Sequence, residues 1–482
     1  MGMNGVFLRP DEAASGGGAL DEGQIRRVLA LLFVGVLMGA LDLAIVGPAL
    51  PAIQADFQMN TRQLAWLFNI YVLCQLVSTP LLAKLSDRFG RRRIYIFSVG
   101  SFALGSLLLV LSPTTEFLLL SRAIQGFGAG GIFPVAAAVI GDTFPPEKRG
   151  GALGLMGAVF GLAFLVGPFL GGILLQWSWH WLFLINLPIA AVLIWQATKL
   201  LPDSGAEESL PFDWLGAVSL AIALVGLAVA VTNLDSGNLL ASLSSMEVWP
   251  YVLLTVVGLP VFWRVEKRAA DPIVRPRFFA SRQIRLTVII ALGVGTVESG
   301  SVFFPALAVA AIGVSESMAA WLMLPSVLAM TVAAPLVGKL LYRTGSRIIV
   351  QCGLLLVCAG VLIYGQMTIT IAVFIVGGIV GGLGLASLLG APFRYILLNE
   401  ASAQDRAAAQ GLLSVFMAVG QLLGAAIVGG VAASRGGGAM GYQSAFMVLA
   451  LVTGALVCLS LALKSRAQEQ ADQAAAELAA QE

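Results

Sequence analysis

Charged residues are scarce: Asp, Glu, Lys and Arg make up only 11% of the 482 residues, where soluble domains carry about 25%. An ordinary water-soluble fold is therefore excluded. One histidine and four cysteines are present, so neither a metal cluster nor a catalytic triad is suggested. No loop of the Walker type occurs, which removes ATP as the expected energy source. Neither a cofactor nor a nucleic-acid partner is expected. Cys74, Cys352, Cys358 and Cys458 all fall inside apolar runs, where a small buried role is expected rather than a disulfide. A cleavable signal is also absent. Residues 1–24 are polar and Gly-rich, and the first apolar run is long and carries Asp42.

What is abundant is apolar sequence. It amounts to 58% of the chain and gathers in runs of about 20 residues, enough to cross about 30 Å of hydrocarbon as a helix. Fourteen such runs lie near 27–50, 64–84, 93–112, 116–141, 150–175, 179–199, 213–232, 247–264, 284–312, 319–341, 346–366, 369–393, 407–433 and 442–464. The alternating polarity of a membrane β-barrel is missing. The expected fold is an all-α integral membrane protein of fourteen spans. An even count puts both termini on one side of the bilayer. With the N-terminus inside, 25 of the 28 Lys and Arg residues fall in cytoplasmic segments, as the positive-inside bias requires.

The chain also repeats itself. "AKLSDRFGRR" at 83–92 aligns with "GKLLYRTGSR" at 338–347, an offset of 255. Arg149, Gly154, Gly167 and Gly172 correspond to Arg406, Gly411, Gly424 and Gly429 at an offset of 257. Spans 1–6 thus match spans 9–14, and spans 7 and 8 are an insertion. The expected organisation is a cytoplasmic tail (1–24), a six-helix bundle (25–200), a linker with two inserted helices (201–283), a second six-helix bundle (284–464) and a cytoplasmic tail (465–482). Parallel bundles related by an axis along the membrane normal place a substrate site near the midplane between them.

Five segments together carry a family resemblance: "LDLAIVGPALPAIQ" (41–54), "LSDRFGRRR" (85–93), "RAIQGFGAG" (122–130), "GPFLGG" (167–172) and "WHWLFLINLP" (179–188). The chain resembles the major facilitator superfamily, in its fourteen-helix drug:proton antiporter branch. Ala83, His180 and Tyr342 depart from the usual pattern, which has Gly, Arg and an acid at those places. The resemblance implies a major facilitator fold and marks Gly167, Pro168, Gly171 and Gly172 as an antiporter helix. Physically, the glycines allow close helix approach and Pro168 removes a backbone donor; plain helix packing is the alternative reading.

In the loop at 85–93, Gly90 can supply a positive φ. Asp87, Arg88 and Arg91 form a charge cluster that can latch one half against the other, with topology marking as the alternative role. Three charges sit inside spans: Asp42, Arg122 and Glu298. Such residues are costly in lipid and by default mark an ion or substrate path. Asp42 and Arg122 lie at similar depth and can meet, as a static pair or as a switch. Glu298 is the approximate repeat counterpart of Asp42 and lacks an evident basic partner, which suits a proton carrier. Asn69, Tyr71, Gln75 and Gln125 are candidate cavity residues, or bridges between helices. His180 lies among Trp177, Trp179 and Trp181, as in an interfacial aromatic belt.

The expected function is proton-coupled export of hydrophobic or cationic drug-like compounds from a cell (inner) membrane. Its partners are a small-molecule substrate, protons and the bilayer. Transport of a native metabolite and a non-transporting sensor or scaffold are the alternatives.

Overall fold

The computed structural model describes residues 22–144, 146–201, 213–269, 272–366, 368–389, 391–401 and 406–471. The expected N-terminal tail as far as 21, the connection 202–212 and the tail 472–482 lie outside the described residues. Within them every regular element is a helix. In chain order these are α1 (Glu22–Phe57), α2 (Thr61–Phe89), α3 (Arg91–Val110), α4 (Thr115–Thr143), α5 (Pro146–Leu174), α6 (His180–Leu184) and α7 (Asn186–Leu200). An intervening group follows: α8 (Trp214–Asn233), α9 (Leu239–Leu243) and α10 (Trp249–Glu266). The rest are α11 (Arg282–Gly300), α12 (Phe304–Ile312), α13 (Glu316–Trp321), α14 (Leu324–Thr344), α15 (Ser346–Tyr364), α16 (Ile371–Leu389), α17 (Pro392–Glu400), α18 (Arg406–Ser434) and α19 (Gly438–Ser460).

Twelve helical segments among the described residues are long and apolar enough to cross a membrane. Two of the fourteen expected runs fall short of that measure. In α5 the apolar helix described is Leu162–Leu174, and α10 has 18 residues with Arg264 and Glu266 near its end. Helix lengths also differ from the apolar runs. α1 and α2 reach 36 and 29 residues, because a helix continues past the apolar stretch until a cap stops it. For α2 those caps are Asn60, whose side chain accepts from Gln63 N–H at 2.9 Å, and Gly90 at φ 94°.

The second half is broken where the sequence suggested continuity. The run near 284–312 is split by a 3₁₀ turn at Ser301–Phe303, just before Pro305. The run near 319–341 breaks before Pro325 at the start of α14, and the run near 369–393 before Pro392 at the start of α17. Proline lacks the N–H that would continue a helix. In the bilayer such breaks are tolerated only where protein or a cavity satisfies the freed backbone groups.

Close packing rests on glycine and follows the repeat. A Cβ on Gly167 would stand 2.6 Å from Ala44 Cβ of α1, and one on Gly424 1.9 Å from Thr296 O of α11. One turn further, Gly172 faces the Trp321 indole of α13 at 2.4 Å, and Gly429 faces Ala65 Cβ of α2 at 2.4 Å. Helix α5 therefore grips its own half at one glycine and the other half at the next, and α18 does the same in mirror order. Ser317 Oγ adds a hydrogen bond to Gly172 O at 2.5 Å. These cross-bundle contacts lie at the end away from the termini. The inserted helices α8 and α10 pack against each other and share one apolar core with α11, α15 and α18.

Candidate functional site

Two acids at repeat-related positions define two different environments. In the first bundle, Asp42 is 0% exposed and lies between α1 and α4. Arg122 Nη1 donates to Asp42 Oδ2 at 2.6 Å and to Gln125 Oε1 at 2.5 Å. Gln125 Nε2 donates to Asp42 Oδ1 at 2.6 Å and to Ser106 Oγ at 2.9 Å. Arg122 Nε donates to Leu67 O at 3.1 Å, and the guanidinium lies 4.3 Å from the Tyr71 ring centroid. A buried charge pair survives only with such additional hydrogen bonds. The chain brings these groups together because Gly105 and Gly126 let α3 and α2 approach α4: added Cβ atoms would fall 2.5 Å from Gln125 N and 2.3 Å from Tyr71 O.

The candidate cavity residues Asn69, Tyr71 and Gln125 are 0% exposed; Tyr71 and Gln125 belong to this buried cluster, whereas both polar side-chain atoms of Asn69 are buried without a hydrogen-bond partner. Gln75 is half-buried, and its carbonyl accepts from Thr79 Oγ1 at 2.7 Å. None of the four is among the residues that line the cavity described next; helical period identified their face but not the neighbour that covers it.

That cavity lies between the halves and, with the solvent-open space at its mouth, takes in about 850 Å³ of empty space. Its wall takes Leu43 and Gly47 from α1, Phe164 and Pro168 from α5, and Glu298 from α11, with Met330, Tyr364 and Leu385 opposite. Glu298 is the one carboxylate on a wall that is otherwise mostly apolar. Its named partner is neutral: Gln421 Nε2 donates to Glu298 Oε2 at 3.1 Å. Sequence reasoning missed Gln421, although a lone glutamine in a glycine-rich span was a usable signal. The repeat is consistent with the lack of a cationic partner for Glu298 among the described residues. Positions 377–379, the counterparts of Arg122, read Gly-Gly-Ile, and 380–382, the counterparts of Gln125, read Val-Gly-Gly.

Pro168 is buried in α5 and borders this cavity. Its neighbour Phe169 stacks edge-on against Trp321 at 5.5 Å. Gly171 meets Pro48 of α1, its added Cβ falling at 2.8 Å.

The loop at Gly90 turns as expected, and its repeat partner Gly345 does likewise at φ 85°. Arg91 Nε donates to Asp142 at 2.9 Å, Arg91 Nη1 donates to Ser86 Oγ at 2.7 Å, and Arg91 pairs closely with Asp87. Arg88 lies over Phe89. These partners all belong to the first bundle. In the second loop Tyr342 and Ser346 replace Asp87 and Arg91, and the segment after α19 supplies the charge instead. Glu469 accepts from Ser346, Arg466 donates to Arg343 O, and Lys464 pairs with Glu400.

Two further expectations are revised. The cysteines are free, but Cys352 and Cys458 are exposed on the bundle surface, where the apolar environment is lipid rather than core. Of the supposed aromatic belt, Trp179 is 4% exposed. It stacks on His180 at 3.8 Å and donates to Asp56 at 2.5 Å.

The major facilitator superfamily model matches residues 32–284 and 286–481. The chain belongs to that transporter family. It is 35% identical over 408 residues to an uncharacterised MFS-type transporter, YfiU, of Bacillus subtilis, covering 83% of this chain and 79% of the relative. It is 32% identical to multidrug resistance protein 3 of the same organism, over 84% of this chain and 78% of the relative. Similarity to the tetracenomycin C resistance and export protein of Streptomyces glaucescens reaches 29%, over 85% and 76%. Among solved structures, the nucleoside transporter NupG superposes with a TM-score of 0.62 at 14% identity, over 91% of this chain and 98% of that one. That likeness concerns the fold.

Proposed function

We propose that the protein is a proton-coupled exporter of hydrophobic or cationic drug-like compounds. In this reading it spans the cell (inner) membrane fourteen times, counting α5 and α10, with both termini cytoplasmic. It works by alternating access, here closed at the outer face through Gly172–Trp321 and Gly429–Ala65. One observation carries the reading: a single acid, Glu298, stands in an apolar cavity between the halves with a neutral partner. A lipophilic cation entering that cavity favours the ionised carboxylate, and a proton competes for the same oxygens, so the two ligands exclude each other. Asp42 and Arg122 hold the first bundle in register while the halves rock. Relatives named for multidrug resistance and export support the substrate class.

The test is transport in proteoliposomes of purified protein under an imposed pH gradient, against a panel of lipophilic cations and neutral compounds. Gradient-dependent movement of cations is expected. No gradient-dependent movement of any compound would refute the reading.

A further inference from the structure

The inserted pair carries two acids that transport does not use. Asp213 caps α8, its Oδ1 accepting from Gly216 N–H at 2.8 Å. Glu266 ends α10, two residues beyond the apolar run at 247–264, and is 1% exposed. Its Oε2 accepts from Val274 N–H at 2.9 Å. The other oxygen of each carboxylate is buried and has no hydrogen-bond partner. Both point at one spot: the position of a Cβ on Gly216 lies 2.2 Å from Asp213 Oδ2 and 2.9 Å from Glu266 Oε1. Only a glycine leaves that space open.

Charged groups of both signs stand on this and the neighbouring segments. Arg264, Lys267 and Arg268 flank Glu266, Arg275 and Arg277 follow in the linker, Lys84, Asp87 and Arg88 end α2, and Arg406 heads α18. The charge acting on Glu266 is that of Asp213. With both open oxygens aimed at one spot, a proton on the buried Glu266 carboxyl spares two like charges there. A hard cation needs about six oxygen ligands, whereas the remaining neighbours here are N–H donors.

We propose that Glu266 holds a proton beside the open oxygen of Asp213 and forms a proton-binding site that fastens the linker 272–281 when occupied. Burial first, and then the Asp213 charge, push the Glu266 carboxyl up to about 7, so the site loads and unloads near neutral pH. The linker it holds runs through the 3₁₀ turn Pro276–Ala280 to Ser281, whose Oγ donates to Glu400 at 2.9 Å. Proton loss leaves two negative charges in one dry spot and loosens the Glu266–Val274 bond. The folded value lies above the ordinary carboxylate range, so protection is greatest at low pH. It falls as pH rises towards about 7 and then levels off.

Hydrogen exchange of the 267–281 segment in the full-length protein tests this, comparing the parent with Glu266→Gln at pH 6 and at pH 8 in potassium chloride. The ratio of parent to variant exchange should rise about tenfold between the two pH values. Asp213→Asn should remove most of that rise, and it serves as the reference if Glu266→Gln does not fold. A constant ratio overturns the proposal. So does recovery of protection at pH 8 on adding sodium, magnesium or calcium, since a metal cation would then occupy the pair. No transport is measured, so failure here leaves the export reading standing.

Discussion

In the first bundle Asp42 is enclosed by Arg122 and Gln125, each at 2.6 Å; in the second, Glu298 has Gln421 at 3.1 Å and an open wall beside it. The repeat makes this contrast informative. Approximately corresponding positions of the two halves carry an acid, but α4 has an arginine where the matching positions of α16 are mostly glycine. Removing the cation converts a buried ion pair into an acid whose charge must be balanced by whatever enters the cavity. The breaks in the helices follow the same division. Proline-marked interruptions at 305, 325 and 392 fall in the second half, which lines most of the cavity; the first half breaks at Ile185 before Pro188, away from the charged cluster, through which α1 to α4 run unbroken. In the proposed export cycle the first bundle is the scaffold and the second carries the exchange site.

The comparison is broken most forcefully at Arg122. Arg122→Met leaves Asp42 buried without a counter-charge and should cost about 3–5 kcal/mol, seen as loss of folded protein or a much lower melting temperature in detergent. Adding Asp42→Asn should recover most of that loss, because removing both charges leaves no ion unpaired. If the single variant melts like the parent, the cluster is not the scaffold's anchor.

A smaller effect is expected at the glycines. Gly424→Val drives a side chain into the α11 backbone and should cost about 1–3 kcal/mol by thermal unfolding. Gly172→Ala meets only the Trp321 indole, which can turn aside. It should lower stability less while raising cysteine accessibility at the outer face. Equal destabilisation by both would remove the distinction between an intra-bundle and a cross-bundle contact.

Pro168→Ala sharpens the comparison further. Membrane insertion should be intact and stability should change by less than about 1 kcal/mol, while proton leak rises and coupled flux falls. Unaltered coupling would mean that the proline has no antiport role. The smallest effect is expected for Asp87→Asn. Arg91 keeps Asp142, and exposed pairs contribute about 0–1 kcal/mol, so stability should hardly move. A rise in cysteine accessibility at the cytoplasmic face would reveal a latch beyond the first bundle; an unchanged pattern confines Asp87 to its own loop.

Much of this was legible before any coordinates. Composition and run length define the helical membrane class. The repeat between 83–92 and 338–347 anticipates two loops with positive-φ glycines, and depth counting brings Asp42 to Arg122. What stayed hidden depends on contacts between helices distant in sequence. Period 3.6 places Asn69 and Tyr71 on a buried face, but it does not say whether an arginine or a cavity covers them. The Asp213–Glu266 contact joins residues 53 apart across two helices of the insertion, where no repeat exists to suggest a partner. Gln421 was passed over because an amide in a span reads equally well as a bridge. Helix breaks were missed because an apolar run continues through Pro305 and Pro325 without a change in hydropathy.

The central claim is that the unpaired acid of the second bundle is where proton and substrate exchange. The most direct measurement is efflux of a lipophilic cation driven by an imposed pH gradient in proteoliposomes, comparing the parent with Glu298→Gln at equal reconstituted amounts. Glutamine keeps the shape and the Gln421 contact but cannot release a proton. The account predicts that gradient-driven cation efflux falls to background in Glu298→Gln, while neutral compounds are spared more and the melting temperature is retained. Cation efflux at the parental rate would contradict it, because the proton would then travel without passing through Glu298.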